Sequence, residues 1–289
     1  MSQKYKATGI VLKGSSIQES DRLVTVLTPE YGLIRAVAPG AKKHKSRLRG
    51  RTELFVVNDL LIVRGRSLDK IIQADTLYTY PGLSRDLGKL ATAQYLAELS
   101  LYLAVDEQPQ PELYELLLEH LKRIESSNPN DSIYPYLAQA VFHLLAIAGL
   151  TPQVFNCCLT QKLIPPDFTA LQWQVGFSFE GGGIIDLTSY GKIQQQQIDS
   201  SEDIDLEAKY NNRLPKINYR INAVELAILQ QLNYHSLPSG ELSHNQTISQ
   251  DNLEIGWMRI EKILREYIQY HTNKTIRSAT LVDNLYAEF

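Results

Sequence analysis

Seven cations lie between Arg35 and Arg51 with no carboxylate among them: Arg35, Lys42, Lys43, Lys45, Arg47, Arg49 and Arg51. Pro39-Gly40 opens the segment as a loop. Phosphodiesters need mobile cations at spacings a backbone can track, and a single-signed loop supplies them. His44 and Ser46 could add hydrogen bonds to phosphate oxygens. A loop that is merely solvated has the same composition, so the reading as a polyanion-binding loop rests on its single sign and its place among strands. Arg64, Arg66 and Lys70 form a second, smaller cluster, and Tyr5, Tyr31, Phe55 and Tyr78 are the aromatics nearby that could stack on bases.

The remaining chemistry-bearing residues point to no reaction. Cys157 and Cys158 follow Pro152, and Gly181 to Gly183 come some twenty residues later, a layout like that of a zinc ribbon. A structural zinc needs four thiolate or imidazole ligands, and only these two cysteines exist. No histidine lies in residues 151–192, and Asp186 is the one nearby oxygen donor. The expectation is a ribbon-shaped element without metal, and a chain without cofactor. The three glycines lack the Lys-Ser pair of a phosphate loop, and there is no Gly-x-Ser-x-Gly elbow. His44, His120, His143, His235, His244 and His271 are scattered, and Asp203 with Asp205 sits in a polar stretch where solvation explains it. No acid, base and nucleophile come together, so no enzyme is expected.

The elements that must carry the basic loop read as strands over the first eighty residues. The β-rich runs are Tyr5 to Leu12, Leu23 to Thr28, Leu33 to Val37, Glu53 to Val63 and Ile71 to Tyr80, and Pro29-Glu-Tyr-Gly32 ends the second. Five short strands fit a small closed or half-closed barrel of the OB type, with a five-stranded barrel of another family as the alternative. Pro81-Gly82 marks a switch to helical periodicity. Leu83, Leu87, Leu90, Ala91, Ala97 and Leu101 form one stripe; Leu113, Leu116, Leu117, Leu121 and Ile124 follow Pro111 in the next. Tyr134 to Gly149 reads as a buried helix that Gly149 stops, too short at its apolar core to span a bilayer.

Residues 151–192 break the helical pattern with a β-like stretch from Trp173 to Phe179, and 192–218 read as an exposed polar connector. Helices resume at Ala223 to Tyr234 and near Asp251, where Glu254 completes a capping pair and Trp257, Ile260, Leu264 and Ile268 point inward. The fold class is therefore α+β, with a barrel domain over 1–80 and a helical domain over 81–289. Residues 1–80 carry fourteen Lys and Arg against seven Asp and Glu, a net of +7, whereas the rest nets −10, so the overall −3 conceals a basic front and an acidic back. That split points to a polyanion for the front and protein contacts for the back. With no signal-like start and no disulfide framework, the expected compartment is the cytoplasm. Charge alone does not separate DNA from RNA, so a ribosome-associated barrel and a pure protein adaptor stay open at this point.

Several runs in fixed order carry a resemblance. Thr8-Gly-Ile-Val-Leu12, Glu19-Ser-Asp-Arg-Leu-Val-Thr-Val-Leu-Thr28, Tyr31-Gly32, Gly40-Ala-Lys-Lys43 and Ser46-Arg47 open the chain. Gly149-Leu-Thr-Pro152 leads into Cys157, and Leu264-Arg-Glu-Tyr267, His271, Lys274 and Ser278 close it. Together they resemble the RecO family of bacterial recombinational repair proteins. The resemblance implies an OB domain, a helical domain with a zinc-ribbon-like insert at about 151–192, and no catalytic residues. It implies binding of single- and double-stranded DNA, annealing of complementary strands, and action with RecR and, in many bacteria, RecF to load RecA onto DNA coated by the single-strand-binding protein SSB. It maps the basic DNA-binding surface onto Lys42, Lys43, Lys45, Arg47, Arg49 and Arg51. Where the family's ribbon often has two Cys-x-x-Cys pairs, this chain has Cys157 with Thr160 and Asp186 with Ser189. The metal is therefore expected to be lost.

Overall fold

The computed structural model describes residues 3–128, 131–170, 172–199, 213–234 and 249–286. Asp203, Asp205, His235 and His244 lie outside them, as does part of the expected connector. The chain forms two compact units, Met1–Tyr136 with Thr275–Phe289, and Leu137–Lys274.

The first unit is built on a closed five-stranded barrel in the order β1-β2-β3-β5-β4, with strands β1 (Lys4–Ile17), β2 (Asp21–Thr28), β3 (Gly32–Ala38), β4 (Val57–Val63) and β5 (Asp69–Tyr78). All ladders are antiparallel except β3 with β5, where Ala36 faces Asp69 and Val37 faces Lys70. This is the OB topology expected from the strand pattern. Val24, Val26, Ala36, Ala38, Ile62 and Ala74 alternate inward and are fully buried, and the small alanines let five strands close tightly. Strand β4 starts four residues later than the run at Glu53 suggested. Thr52 to Phe55 instead form a turn, with Phe55 buried at φ 63°.

Two helices, α2 (Leu87–Leu103) and α3 (Pro111–Ser126), belong to the same compact unit as the barrel. Backbone bonds from Leu33 N to Val105 O (3.4 Å) and from Gln110 N to Pro29 O (2.9 Å) stitch their connection to the β2–β3 hairpin. The unit therefore runs past residue 80, where only the type of secondary structure changes. Helix α3 starts on Pro111 and buries Leu113, Leu117, Leu121 and Ile124, as its stripe predicted. The stripe drawn for α2 was wrong in part. Leu87 is 66% exposed, while Lys89, Thr92, Tyr95 and Ser100 are buried. This helix packs against β1, α3 and the closing helix at once, so it has no single apolar face. Lys89 is buried as a cap, its ammonium donating to Glu125 O (2.9 Å) and Ser127 O (2.5 Å) at the end of α3.

The second unit begins within α4 (Tyr134–Ile147), whose Leu137, Ala140, Val141, Leu144 and Leu145 are almost wholly buried. Gly149 at φ 69° stops it, with Leu150 N bonding back to Leu145 O (2.9 Å). Strands β6 (Gln174–Ser178), β7 (Gly183–Ile185) and β8 (Tyr219–Asn222) form a sheet in the order β7-β6-β8. Residues from Leu187 to Asp199 are helical (α5), a correction to the connector expected from 192 onward. The cap explains it: Asp186 Oδ2 accepts from Ser189 N (2.8 Å) and Oδ1 from Thr188 N (3.3 Å), which nucleates a helix despite its glutamine-rich composition. Helix α6 (Ala223–Gln231) opens with a reciprocal Asn222–Glu225 capping box. Helix α7 (Gln250–Thr272) buries Trp257, Ile260, Leu264 and Ile268 as expected, but its cap is Ser249, which accepts from Asn252 N, and not Asp251. Helix α8 (Ala279–Tyr286) returns to the first unit.

Candidate nucleic-acid interface

The basic segment is a framed structure. Residues 39–47 form successive turns, with Lys43 N bonded to Gly40 O (3.0 Å) and Ser46 N to Lys43 O (3.0 Å), and they run into a single helical turn, α1 (Leu48–Arg51). Ala41 is fully buried and Leu48 packs against the barrel core, so both ends of the loop are plugged into it. Lys42 N reaches Ser20 O (2.9 Å), and Gly40 N donates to Asp21 Oδ1 (2.8 Å). On the far side Arg22 donates to Thr52 O (3.0 Å), and Asn58 Nδ2 to Arg51 O (2.8 Å). The hydrogen bond from the Gly40 amide holds the Asp21 carboxyl below the usual range, helped by Ser20, Lys43 and Lys70. That carboxylate therefore keeps both its charge and its grip on the turn at neutral pH.

This frame leaves Lys42, Lys43, Lys45, Arg47 and Arg49 exposed, with no ion pair among the described residues. Two of the seven expected binding residues stand apart. Arg51 is half-buried and donates to Ala74 O and to the Asp75 carboxylate (3.3 Å), so it ties α1 to β5. Arg35 is exposed on β3, outside the loop, where it shares a groove with Arg64 and Arg66. Ser46 is also committed, because its hydroxyl accepts from Leu48 N (3.3 Å). Of the aromatics, Phe55 is buried. Tyr78 is 42% exposed and packs edge-on against Tyr80, and Tyr5 and Tyr31 meet edge-on at 5.2 Å. Sequence reasoning missed Asp21, Arg22 and Asn58, which hold the loop without carrying its charge. Nothing local marks Asp21 and Arg22, which act 19 and 30 positions away, and Asn58, seven positions from Arg51, carries no charge to single it out.

The ribbon-like element gives the metal question a chemical answer. Cys157 Sγ accepts from Asp186 N (3.3 Å). Burial pushes this thiol up, but donors from Thr160, Asp186 and Leu159 outweigh it, and its pKa lies below the ordinary thiol value. Burial pushes the neighbouring Cys158 up to about 11. The Asp186 carboxylate is occupied by Ser189 N, Ser189 Oγ (2.5 Å) and Thr188 N in capping α5. One thiol, one engaged carboxylate and the hydroxyls of Thr160 and Ser189 do not fit a structural zinc. Among the described residues, no three His, Cys, Asp or Glu side chains gather as a metal would require.

With the geometry in place, comparison with known proteins decides the family. The model described as recombination protein O N terminal matches residues 1–80, and recombination protein O C terminal matches residues 84–280. The chain belongs to the RecO family. A DNA repair protein RecO from Gloeothece citriformis is 58% identical over 285 residues, covering 99% of this chain and 98% of that protein. One from Nostoc sp. is 50% identical, again covering 99% and 98%, and one from Synechocystis sp. is 45% identical with the same coverage. RecO proteins are DNA repair and recombination proteins. No described helix is long and apolar enough to cross a membrane.

Proposed function

We propose that this RecO chain binds single- and double-stranded DNA through Arg35, Lys42, Lys43, Lys45, Arg47 and Arg49, and anneals complementary strands without nucleotide hydrolysis. The observation that carries this reading is the run of exposed cations, without an ion pair among the described residues, on a loop pinned to the barrel by Asp21, Arg22 and Asn58. Such cations neutralise phosphates on one strand and so lower the repulsion felt by an approaching complement. Because the frame holds the loop's backbone, few degrees of freedom are lost when phosphates dock. Family membership supports the rest of the proposal: action with RecR and, as in many bacteria, with RecF, and the loading of RecA onto DNA coated by SSB. The place of action would then be the nucleoid in the cytoplasm.

The test is an annealing assay with complementary oligonucleotides, run without ATP across a salt series. Annealing should accelerate at low salt, and binding to single strands should weaken with a log–log salt slope of about −4, as expected for roughly six neutralised phosphates. A flat salt response or no acceleration at low salt would overturn the mechanism. The donor set around Cys157 leads us to propose that the protein works without zinc. Elemental analysis of the purified chain should find well under one zinc per molecule, and a stoichiometric metal would mean that other ligands hold it.

A further inference from the structure

A groove of about 510 Å³ opens beside the β4–β5 turn, lined by Tyr5, Tyr31, Arg35, Arg64, Arg66 and Asp69, and also by Asp106 and Glu107. Its size is that of a small-ligand site. The turn carrying the arginines is held rigidly. The Asp69 carboxylate accepts from the Tyr5 hydroxyl and from Gly65 N (3.0 Å), and Arg64 N bonds to Gln3 O (2.9 Å). A Cβ on Gly65 would lie 1.8 Å from Leu68 O, so only glycine allows this turn.

The two tyrosines differ in what they can offer. Tyr5 has its hydroxyl engaged by Asp69 and the Arg64 guanidinium 5.9 Å from its ring centre. Tyr31 is 38% exposed, and its backbone is set by a bond from Tyr31 N to the hydroxyl of the buried Thr28 (3.1 Å). Arg35 and Arg66 are exposed, with no ion pair among the described residues. Asp106 and Glu107 repel phosphate, so a strand's backbone must run on the arginine side.

The geometry points to a binding site for one unpaired nucleotide of a DNA single strand, with the base stacked on Tyr31 and the adjoining phosphate on Arg35 and Arg66. This rests on the DNA-binding reading above and adds what that reading lacks, a contact to a base. The loop cations treat all phosphates alike, whereas this groove needs an unpaired base and so favours single strands over duplex. Base–aromatic stacking is sequence-tolerant, which suits a protein that must act on any DNA.

The experiment titrates the full chain by fluorescence anisotropy with a short oligothymidylate and with an abasic oligomer of equal phosphate number. The wild type should bind the oligothymidylate about tenfold more tightly. Tyr31→Ala should weaken that complex to the abasic level, and Tyr31→Phe should restore the preference. Lys43→Glu with Arg47→Glu should weaken both complexes alike and keep their ratio. Equal wild-type affinity for the two oligomers, or a preference that survives Tyr31→Ala, overturns the groove; the loop variant's loss of affinity would then leave the phosphate mechanism standing. Failure of the wild type to bind either oligomer overturns both.

Discussion

Exchanging Lys43 and Arg47 together for glutamate is expected to lower affinity for single-stranded DNA by about 100- to 1000-fold near 0.1 M salt, with the fold intact. The size follows from charge. Two cations vanish and two anions appear, so the effective number of neutralised phosphates falls from roughly six to about two, each worth a little under a decade at that salt. The salt slope should flatten in proportion. The fold should survive because neither side chain holds the loop. Backbone bonds from Gly40 and Lys42, the buried Ala41 and the half-buried Leu48 do that work. Lys43 also helps keep Asp21 ionised, but the Gly40 amide contributes more. Anisotropy titration with a circular-dichroism melt checks both halves of the expectation. Wild-type affinity in a folded variant would move the DNA surface off this loop. Arg51 provides the contrast, since its bonds to Ala74 and Asp75 make it a strut between α1 and β5.

The second large effect concerns Glu98 on α2. Its carboxylate accepts from Ser278 N (2.7 Å), Ser278 Oγ (2.5 Å), Arg277 N (3.1 Å) and the Tyr102 hydroxyl (2.6 Å). The same Tyr102 hydroxyl lies 3.1 Å from Thr275 O. These bonds fasten the segment that leads into α8, where Ala279 and Val282 are buried. Burial alone would push this carboxyl up, but donors from Ser278, Tyr102 and Arg277 outweigh it and hold its pKa below the ordinary value. Glu98→Ala is expected to cost about 2 kcal/mol, because hydrogen bonds to a charged acceptor are worth more than neutral ones and partial exposure reduces the total. The loss should appear in denaturant melts and as faster amide exchange at 277–282. The pH sign follows from the lowered pKa. The ionised carboxylate is what stabilises the fold, so its contribution is complete above the ordinary glutamate pKa and fades as pH falls through the lower folded value. The gap in melting temperature between wild type and Glu98→Gln should therefore be constant near neutrality and close in acid. A gap that widened on acidification would mean that Glu98 is held as the neutral acid.

What was legible in the sequence is what acts over a few residues. The five strands follow from alternation and turn signals, and the α3 stripe from its period. The proline that starts α3 and the glycine that stops α4 obey local backbone geometry. The basic loop was legible because its charge is single-signed within seventeen positions. The helix over Leu187–Asp199 was missed because its composition is polar and its start depends on Asp186 used as a cap, not as a metal ligand. The α2 stripe failed at Leu87 because three neighbours pack around that helix and erase its periodicity.

The sequence by itself therefore determined the barrel, the order of helices and the presence of a cationic loop, because period, turn chemistry and charge are local properties. Only the tertiary structure decided which cations are free. It placed Asp75 beside Arg51 across 24 positions and Asp69 beside Tyr5 across 64, and it left Lys43 and Arg47 to solvent. It also brought Glu98 to Ser278 across 180 positions. Such pairings depend on how a closed barrel and its packed helices return distant segments to one place, and no local pattern records that.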